Sequence, residues 1–294
     1  MDKYVVRMMG GLANRMLQYS YSIYLRNQGY NVLQDNSYKP KKWAIEELDW
    51  NRIFPKATID QASKWLMMRY GGGYDYISKL RLKYIPKLTK TCKMPSAFDI
   101  PSVDQLKSYR HFIGIFHHAK MIDQVLSEVQ SLFEFSPFAE GSRNDVLANK
   151  IINSNSIAIH VRKGKDYQTR DAYEGTCPIE YYLQAIEYIK AKESGTKLYV
   201  FTDNPDWVRD NFKNFNYVLV EGNPASGWGN HFDMQLMSLC KHNIIANSTY
   251  SWWGAVLNKN SKKTVICPAK WFNENVERYK GLNNFSICEG WISM

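Results

Sequence analysis

The sequence predicts an α/β protein with two domains, each built on a parallel β-sheet. In the second half, short apolar runs alternate with stretches whose apolar residues recur every three or four positions. The first half opens with the same order of strand, tight turn and helix. A polar segment over residues 136–155 holds the boundary. Strands that alternate with helices form parallel sheets covered on both faces, and we expect a cleft between the two domains.

Length and composition agree with this class. The 294 residues carry 38 Lys or Arg against 28 Asp or Glu, a net charge of +10, and 45% are hydrophobic. These values exclude disordered and collagen-like chains, and no apolar stretch is long enough to predict a membrane-spanning helix. The first residues include Asp2 and Arg7, which a signal peptide would not have. We therefore expect a cytoplasmic protein.

The cysteines are odd in number and lie far apart, without a C-x-x-C pair. A disulfide framework or a structural zinc site would need paired spacing. The sequence therefore predicts reduced, mostly buried thiols. They are Cys92, Cys177, Cys240, Cys267 and Cys288.

The first half begins with a predicted strand over residues 4–8 and a tight turn over 10–14. A helix with one apolar face follows, Gly29 fits its end, and residues 30–33 form the second strand. Residues 38–101 have no clear period, so we expect irregular helices and loops there. The last predicted elements of this domain are a strand over residues 111–116 and a helix over 122–133.

The second half contains five predicted strands with helices between them. One helix carries apolar residues from Ile179 to Ile189, one begins near Pro205, one spans Phe232 to Cys240, and one starts near Ser251. We place the domains at residues 1–140 and 141–294, and allow the last helix to pack back on the first domain. The strands are residues 156–161, 197–203, 217–220, 243–247 and 264–268.

Ligands of open α/β sheets bind where the strands end, so residues after predicted strands are the site candidates. The first is the turn Gly10-Gly11. It lacks the G-x-G-x-x-G pattern of a dinucleotide site. Either the turn only permits close packing of helix and strand, or its amides hold an anion or a sugar oxygen at the helix N-terminus. In the second case Asn14 lies at the mouth of the site.

The second candidate is the run HVRKGKDY, residues 160–167. It fails the P-loop pattern, because Ile159 and Asp166 stand where that pattern needs Gly and Ser or Thr. Cations nevertheless cluster after a buried strand, and the planar fork of Arg162 suits a phosphate group, with Lys163 beside it. The alternative is a solvated run of charges.

The third candidate is the segment NSTYSWWG, residues 247–254. Its hydroxyls, with free amides at a helix N-terminus, would form a cradle for a diphosphate, and plain N-capping is compatible with that reading. Asp203, at the end of a strand, and Asp233, at the start of a helix, could each hold a nucleoside hydroxyl or cap a helix.

Two further functions have little support. His117 and His118 are adjacent, so they face opposite ways, and no third ligand is spaced to complete a metal site. The net charge of +10 with 20 Tyr, 13 Phe and 9 Trp would suit nucleic acid. However, no nucleic-acid-binding motif is present, and the aromatic residues lie in predicted core elements. We expect no metal and no nucleic-acid partner.

Taken together, these segments resemble the bacterial α-1,2-fucosyltransferases of glycosyltransferase family 11. MMGGLANRMLQYSYSIYLRNQGYNV is similar to the opening block of that family, and HVRKGKDY to its H-x-R-x-G-D-Y segment. The most specific match is FDMQLMSLCKHNIIANSTYSWWGAVLN. The likeness covers residues 4–35, 108–135 and 156–272, and residues 38–105 match nothing known to us.

The resemblance implies a GT-B-like fold of two Rossmann-like domains whose parallel sheets face a cleft. It implies inverting transfer of L-fucose from GDP-fucose to the 2-hydroxyl of a galactoside, without a metal ion or other cofactor. The acceptor would be a galactose-terminated oligosaccharide or a lipid-linked glycan of the bacterial surface. Such acceptors often lie at the anionic inner membrane face, so the positive charge would permit peripheral membrane contact at most.

By the same resemblance the C-terminal domain holds the donor and the N-terminal domain faces the acceptor. Arg162 matches the arginine on the donor diphosphate and His160 the motif histidine at the guanosine end. Asn14 matches an asparagine that reaches the cleft, and we count it as catalytic with Arg162. The expected donor-binding residues are Gly11, His160, Arg162, Lys163, Asp203, Asp233, Asn247, Ser248 and Thr249.

The chain also departs from the family pattern. The family glycine before the asparagine is Ala13, and Lys165 is inserted before Asp166, which leaves the role of Asp166 open. His117 stands where the family has a glutamine, so we assign it to the acceptor. The catalytic base is not evident, and Asp35 is a candidate by its position after the second strand. A protein O-fucosyltransferase-like enzyme, with the same donor and a different acceptor, is the main alternative.

Overall fold

The computed structural model describes residues 2–37, 49–73 and 76–294, and the side chains of Lys87 and Asp166 lie outside this description. Two compact units are present. The first contains residues 2–37, 56–73 and 76–129, and the second contains 49–55 and 130–294. Residues 49–55 belong with the second unit because Trp50 and Phe54 pack against Phe133, with ring centroids 5.7 and 5.0 Å away. The chain passes into the main part of the second unit between residues 129 and 130, whereas the predicted boundary lies between residues 140 and 141.

The strands follow the order of the chain. They are β1 Lys3–Arg7, β2 Asn31–Asp35, β3 Thr91–Lys93, β4 His111–Ile113, β5 Asn155–Val161, β6 Thr196–Thr202, β7 Tyr217–Val220, β8 His242–Ile244, β9 Val265–Cys267 and β10 Ile292–Ser293.

The helices lie between and beside these strands. They are α1 Leu12–Asn27, α2 Trp50–Ile53, α3 Lys64–Tyr70, α4 Tyr76–Tyr84, α5 Val103–Ser108, α6 Ala119–Leu132, α7 Arg143–Ile152, α8 Lys165–Gln168, α9 Ile179–Lys190, α10 Pro205–Asn211, α11 Phe232–Leu239 and α12 Thr249–Leu257. None of the described helices has the length and apolar character needed to cross a membrane.

The first unit is built on a four-stranded parallel sheet in the order β2-β1-β4-β3. Helix α1 ends as expected at Gly29, whose φ of 86° is the left-handed conformation that glycine adopts readily. Of the irregular stretch predicted over residues 38–101, residues 38–48, 74 and 75 lie outside the described residues. For the rest the prediction was wrong in one respect, because β3 forms the edge of this sheet. A strand of three residues is too short to give a periodic signal.

The second unit is built on a six-stranded parallel sheet in the order β10-β9-β8-β5-β6-β7. Strand β5 lies inside the sheet and is buried on both faces, with Ile157 and Ile159 packed against α9 residues Tyr182 and Ile186. The short β10 was not predicted. Both sheets are parallel with helices between their strands, so the predicted α/β class is confirmed. All five cysteines are buried free thiols, as predicted.

Candidate active site

Residues after β5, β6 and β8 meet at the carboxyl edge of the second sheet. Because the three strands are neighbours and parallel, the loops that leave them emerge side by side. Arg162 follows β5, Asp203 follows β6, and Ser248 follows β8. The sequence candidates from three separate segments are therefore brought together at one edge.

Arg162 and Ser248 lie in contact at this edge. The Arg162 guanidinium donates from Nη1 to the Ser248 hydroxyl at 3.4 Å, and its carbon lies 5.9 Å from the ring centre of Tyr173. The side chain is half-buried. A partly desolvated guanidinium interacts more strongly with an anion than an exposed one does. The arrangement suits a phosphate group that approaches the sheet edge.

Ser248 is also the N-cap of α12. Its hydroxyl accepts a hydrogen bond from the Tyr250 backbone amide at 3.3 Å, and Thr249 is the first helical residue. The first amides of a helix carry partial positive charge and favour anions. Both predicted meanings of this segment, helix cap and anion cradle, are therefore compatible with one geometry.

His160 lies beneath this edge, on β5. Its side chain is buried, and burial, aided by the charge of Arg162, lowers its pKa to about 3. The imidazole is therefore neutral at physiological pH. Within the described part of the chain, its Nδ1 atom has no hydrogen-bond partner. A buried polar atom of this kind usually has one, so a ligand atom would satisfy it.

Tyr250 connects this histidine to the loop before α11. Its ring centre lies 6.2 Å from that of His160. The Tyr250 hydroxyl donates to the Asn230 carbonyl at 2.7 Å and accepts from the Met234 amide at 3.0 Å. Sequence reasoning missed Tyr250 and Tyr173. The only signal for Tyr250 was its place two residues after the predicted cap, inside the most specific motif.

Lys163 and Asp203 hold the loop after β5. The Lys163 amide donates to Asp203 Oδ1 at 2.7 Å. The Lys163 ammonium donates to the Thr176 carbonyl at 3.3 Å and lies 5.0 and 5.4 Å from the rings of Tyr167 and Trp207. Burial lowers its pKa. These contacts position the loop, and the predicted donor contacts of both residues remain predictions.

Asn247 is buried, and its amide group bonds to neighbouring loops. It donates from Nδ2 to the Thr176 hydroxyl at 3.2 Å and to the Trp271 carbonyl at 2.8 Å. Its Oδ1 accepts from the Cys177 thiol at 3.5 Å. If Asn247 bound the sugar nucleotide directly, these hydrogen bonds would have to break. The contacts give Asn247 a positioning role next to Ser248.

Asp233, in the first turn of α11, holds the loop after β7. It accepts a hydrogen bond from Asn223 Nδ2 at 2.6 Å, and Asn223 Oδ1 accepts in turn from Arg143 at 3.0 Å and Asn144 at 2.9 Å. Burial raises the pKa of Asp233. The carboxylate therefore stabilises the loop that leads to Tyr250's partner, Asn230. No sequence pattern pointed to Asn223.

In the first unit, the turn Gly10-Gly11 leads from β1 into α1. Gly10 is left-handed with φ 82°, and a Cβ on it would lie 3.0 Å from Asn14 Nδ2. Gly11 is the N-cap of α1, and a Cβ there would meet no atom within 4 Å. Arg15 fixes the turn, since its Nε donates to the Gly10 carbonyl at 3.1 Å. Open space therefore lies over Gly11. Ala13 is helical, so its lack of left-handed freedom has no consequence.

Asp35 forms a buried ion pair. Its Oδ2 lies 3.0 Å from Arg7 Nε, and both side chains are almost entirely buried. Its Oδ1 accepts from the Ser37 amide at 3.1 Å and from the Ser37 hydroxyl. A carboxylate with these partners stabilises the end of β2. A catalytic base must accept a proton from the substrate, and both carboxylate oxygens of Asp35 already accept hydrogen bonds from Arg7 and Ser37.

His117, predicted to bind the acceptor, lies after β4. Its ring stacks on Phe98 with centroids 5.4 Å apart, and burial lowers its pKa to about 3. Phe116 before it is left-handed, with φ 60°. Among the residues described here, no group of three or more His, Cys, Asp or Glu side chains could hold a metal ion. Metal independence stays a prediction.

A sequence model of glycosyl transferase family 11 matches residues 97–293. The chain belongs to glycosyl transferase family 11. The match contains every predicted donor-binding residue except Gly11. The chain is thus a glycosyltransferase, and the resemblance in its motifs to the fucosyltransferases of this family is confirmed at the family level.

Two relatives from Escherichia coli are similar along nearly the whole chain. The O-antigen biosynthesis glycosyltransferase WbnK is 30% identical over 90% of this chain and 94% of its own length. An alpha-1,2-colitosyltransferase is 28% identical over 98% of this chain and 97% of its own. Among solved structures, a mutant of Arabidopsis thaliana FUT1 in complex with GDP aligns with TM-score 0.48 and 14% identity, over 91% of this chain and 70% of that one.

Proposed function

We propose that this family 11 enzyme transfers L-fucose from GDP-fucose to the 2-hydroxyl of a terminal galactoside, with inversion and without a metal ion. The observation that carries the proposal is the contact of Arg162 with Ser248 at the N-terminus of α12. Motif resemblance supports fucose as the sugar, and the name of the colitosyltransferase relative supports an α-1,2 linkage. The acceptor would be an oligosaccharide or a lipid-linked glycan, and transfer would take place in the cytoplasm.

Departure of GDP is the step these residues would assist. As the bond between fucose and phosphate breaks, negative charge develops on the β-phosphate. Arg162 and the first amides of α12 would stabilise that charge, because their donors are already fixed by Ser248 and by the helix. A preorganised cation and helix end supply charge stabilisation that a metal ion would otherwise give.

His160 would contribute a neutral hydrogen bond. With a pKa of about 3, its imidazole offers one donor and one acceptor and no charge. We assign the Nδ1 atom to a polar atom of the nucleotide, which would complete the hydrogen bonding of this buried group. Recognition of the nucleoside would then not depend on pH in the neutral range.

The acceptor 2-hydroxyl would attack the anomeric carbon opposite the departing phosphate, which inverts that centre. Its proton leaves as the new bond forms, to a carboxylate or to a water molecule held by an asparagine. Asp35 and Asn14 are our candidates for these two roles. The ion pair of Asp35 with Arg7 makes it the weaker candidate.

Colitosyl transfer is the second candidate function, because a colitosyltransferase matches 98% of the chain. Colitose is fucose without its 3-hydroxyl, so a site for one sugar differs from a site for the other by a single hydrogen-bonding position. A site built to bind that hydroxyl would discriminate strongly against the sugar that lacks it.

The test is a transfer assay with and without EDTA, with GDP-fucose or GDP-colitose as donor. Acceptors are lactose, N-acetyllactosamine and a folded peptide domain, and products are identified by mass spectrometry and NMR. We expect fucosylation of the galactosides at the 2-position. Transfer only from GDP-colitose supports the second candidate, and transfer only to the peptide domain supports a protein O-fucosyltransferase. Activity that EDTA abolishes contradicts metal independence.

A further inference from the structure

Helix α3 buries one face and exposes a face that is both apolar and basic. Leu66, Met67 and Tyr70 pack in the core with Val5. On the opposite face Trp65 is 67% exposed. Positions three and four apart are neighbours on a helix, so the exposed side chains form one patch. They are Lys64, Trp65, Met68 and Arg69.

Helix α4 is exposed along most of its length. Ser78 is its only buried residue. Ile77, Leu80 and Tyr84 lie at spacings of three and four, which places them in one stripe, and Ile77 and Tyr84 are 63% and 67% exposed. Lys79 and Lys83 lie beside the stripe and are exposed. An apolar stripe of this kind on a surface helix usually has something to cover it.

A hydrogen bond links the two helices. Arg81 Nη1, on α4, donates to the carbonyl of Met68 on α3 at 3.3 Å. Beside α3 lies a hollow of about 810 Å³, lined by Trp65, Arg69 and Lys90 among others. We call residues 64–90 the basic segment.

The basic segment holds a large share of the charge of the protein. It contains seven Lys or Arg and one Asp, which gives +6 of the net +10 in 27 of the 294 residues. Within residues 2–37, 49–73 and 76–294, its cations with described side chains make no ion pair with an acid. These are Lys64, Arg69, Lys79, Arg81, Lys83 and Lys90. Asp2 lies in the same hollow as Arg69 and interacts with its charge, but its ion pair is with Arg110. Most of the positive charge of the segment is therefore not neutralised by a paired acid.

We propose that the basic segment is a docking surface for an anionic lipid membrane. Cations next to exposed aromatic and aliphatic side chains are typical of elements that lie in the membrane interface. The Lys and Arg side chains would meet lipid phosphates, and Trp65 and the α4 stripe would enter the headgroup region. Aliphatic side chains such as Ile77 and Leu88, the latter 72% exposed, do not suit a nucleic acid. The proposal does not depend on the identity of the transferred sugar.

The test is flotation of the full-length protein with vesicles of phosphatidylcholine alone or with 30% phosphatidylglycerol, at low and high salt. We expect binding only to the anionic vesicles, with weakening as salt rises. Each cation near such a surface is worth about fivefold in binding, so K79Q/K83Q should bind roughly 25-fold more weakly. Ile77→Ser should also weaken binding, even at low salt.

The matched control is K213Q/K262Q, which removes the same charge from exposed lysines of the second unit. We expect it to bind like the unaltered protein. Equal loss in both double variants, or equal binding to neutral vesicles, overturns the proposal. So does binding of an oligonucleotide without binding of vesicles. If K79Q/K83Q fails to fold, as judged by circular dichroism, K64Q/K90Q replaces it. Transfer to soluble lactose is assayed in parallel, so loss of docking is distinguished from loss of catalysis.

Discussion

Arg162 Nη1 lies 3.4 Å from the hydroxyl of Ser248, although 86 positions separate the two residues in the chain. One follows β5 and the other follows the neighbouring strand β8. The contact joins the cation predicted to bind a diphosphate to the cap of the helix predicted to cradle it. Because Arg162 directly follows β5 and Ser248 caps α12, both donors are held in place before charge develops between them, which is the condition for preorganised stabilisation.

Arg162→Ala should reduce the turnover of fucose transfer by roughly 10²–10³, because one preorganised donor to the leaving group is lost. The protein should remain folded, since the side chain is half-buried at a loop and not in the core. The measurement is single-turnover kinetics with saturating GDP-fucose, with the melting temperature as the folding check. Arg209→Ala is the control, because Arg209 is exposed and paired with Asp206 and Glu221. Near-native turnover in folded Arg162→Ala would refute the assignment.

Ser248→Ala should cost stability and activity together. Loss of the helix cap costs about 1 kcal/mol, and loss of the hydroxyl that holds Arg162 should lower turnover by roughly tenfold. Ser142→Ala is the matched control, because Ser142 caps α7 by accepting from the Asp145 amide at 3.2 Å. Urea unfolding and transfer rates should show similar instability in both variants and reduced turnover only in Ser248→Ala. Equal activity in the two would mean that Ser248 is a cap and nothing more.

Gly11→Ala should leave the fold intact and weaken substrate binding. Its φ of −72° suits alanine, and the added methyl group would enter open space where a ligand is predicted. Gly10→Ala should instead destabilise the protein by about 1–2 kcal/mol, because its backbone is left-handed. KM values for donor and acceptor, with melting temperatures, separate the effects. Unchanged KM values in Gly11→Ala would leave the turn with a packing role only.

Asp35→Asn should destabilise the first unit by roughly 3–5 kcal/mol, because it removes the negative charge that compensates the buried Arg7 guanidinium. Replacing both residues by apolar ones of similar size, as in R7M/D35L, should recover much of that loss. Urea denaturation measures both effects. If Asp35→Asn keeps its stability and loses turnover with an altered pH profile, Asp35 is the catalytic base after all.

Stability should fall as the pH drops below about 6.5, partly through His160. Its pKa is about 3 in the folded protein against an ordinary value of 6.5, so the unfolded chain binds the extra proton between these values. Between pH 7.5 and 5.5 this one group should remove about 1.4 kcal/mol of stability. Urea unfolding at both pH values should show that His160→Gln reduces the pH dependence by this amount. An unchanged dependence would mean that His160 is not neutral when folded.

Much of the fold was readable from local pattern. The apolar runs of β5 and β6, the helix start at Pro205 and the helix end at Gly29 were predicted close to where they lie. Strand β3 was missed, because three residues carry no period and pairing with β4 defines the strand. Strand β10 was missed for the same reason, since it forms by pairing with β9.

Some residues of the candidate site could be predicted from sequence, and others could not. Arg162 and Ser248 could be chosen from sequence, because residue type and position after a strand predict anion binding, and His160 was chosen from the family resemblance of its motif. The positioning contacts of Asn247 and the pairing of Asp35 with Arg7 could not be foreseen. Each depends on partners from other segments, and periodicity says nothing about which loops become neighbours.

Sequence alone therefore determined the alternation of strands and helices and the family motifs, and it predicted which residues would bind a phosphate. Tertiary structure decided which of these side chains meet, which are occupied by internal bonds, and which cations remain exposed. The reason is physical: propensity and periodicity act over one or two turns of chain, whereas burial, pKa and hydrogen-bond partners are set by groups brought together from distant segments.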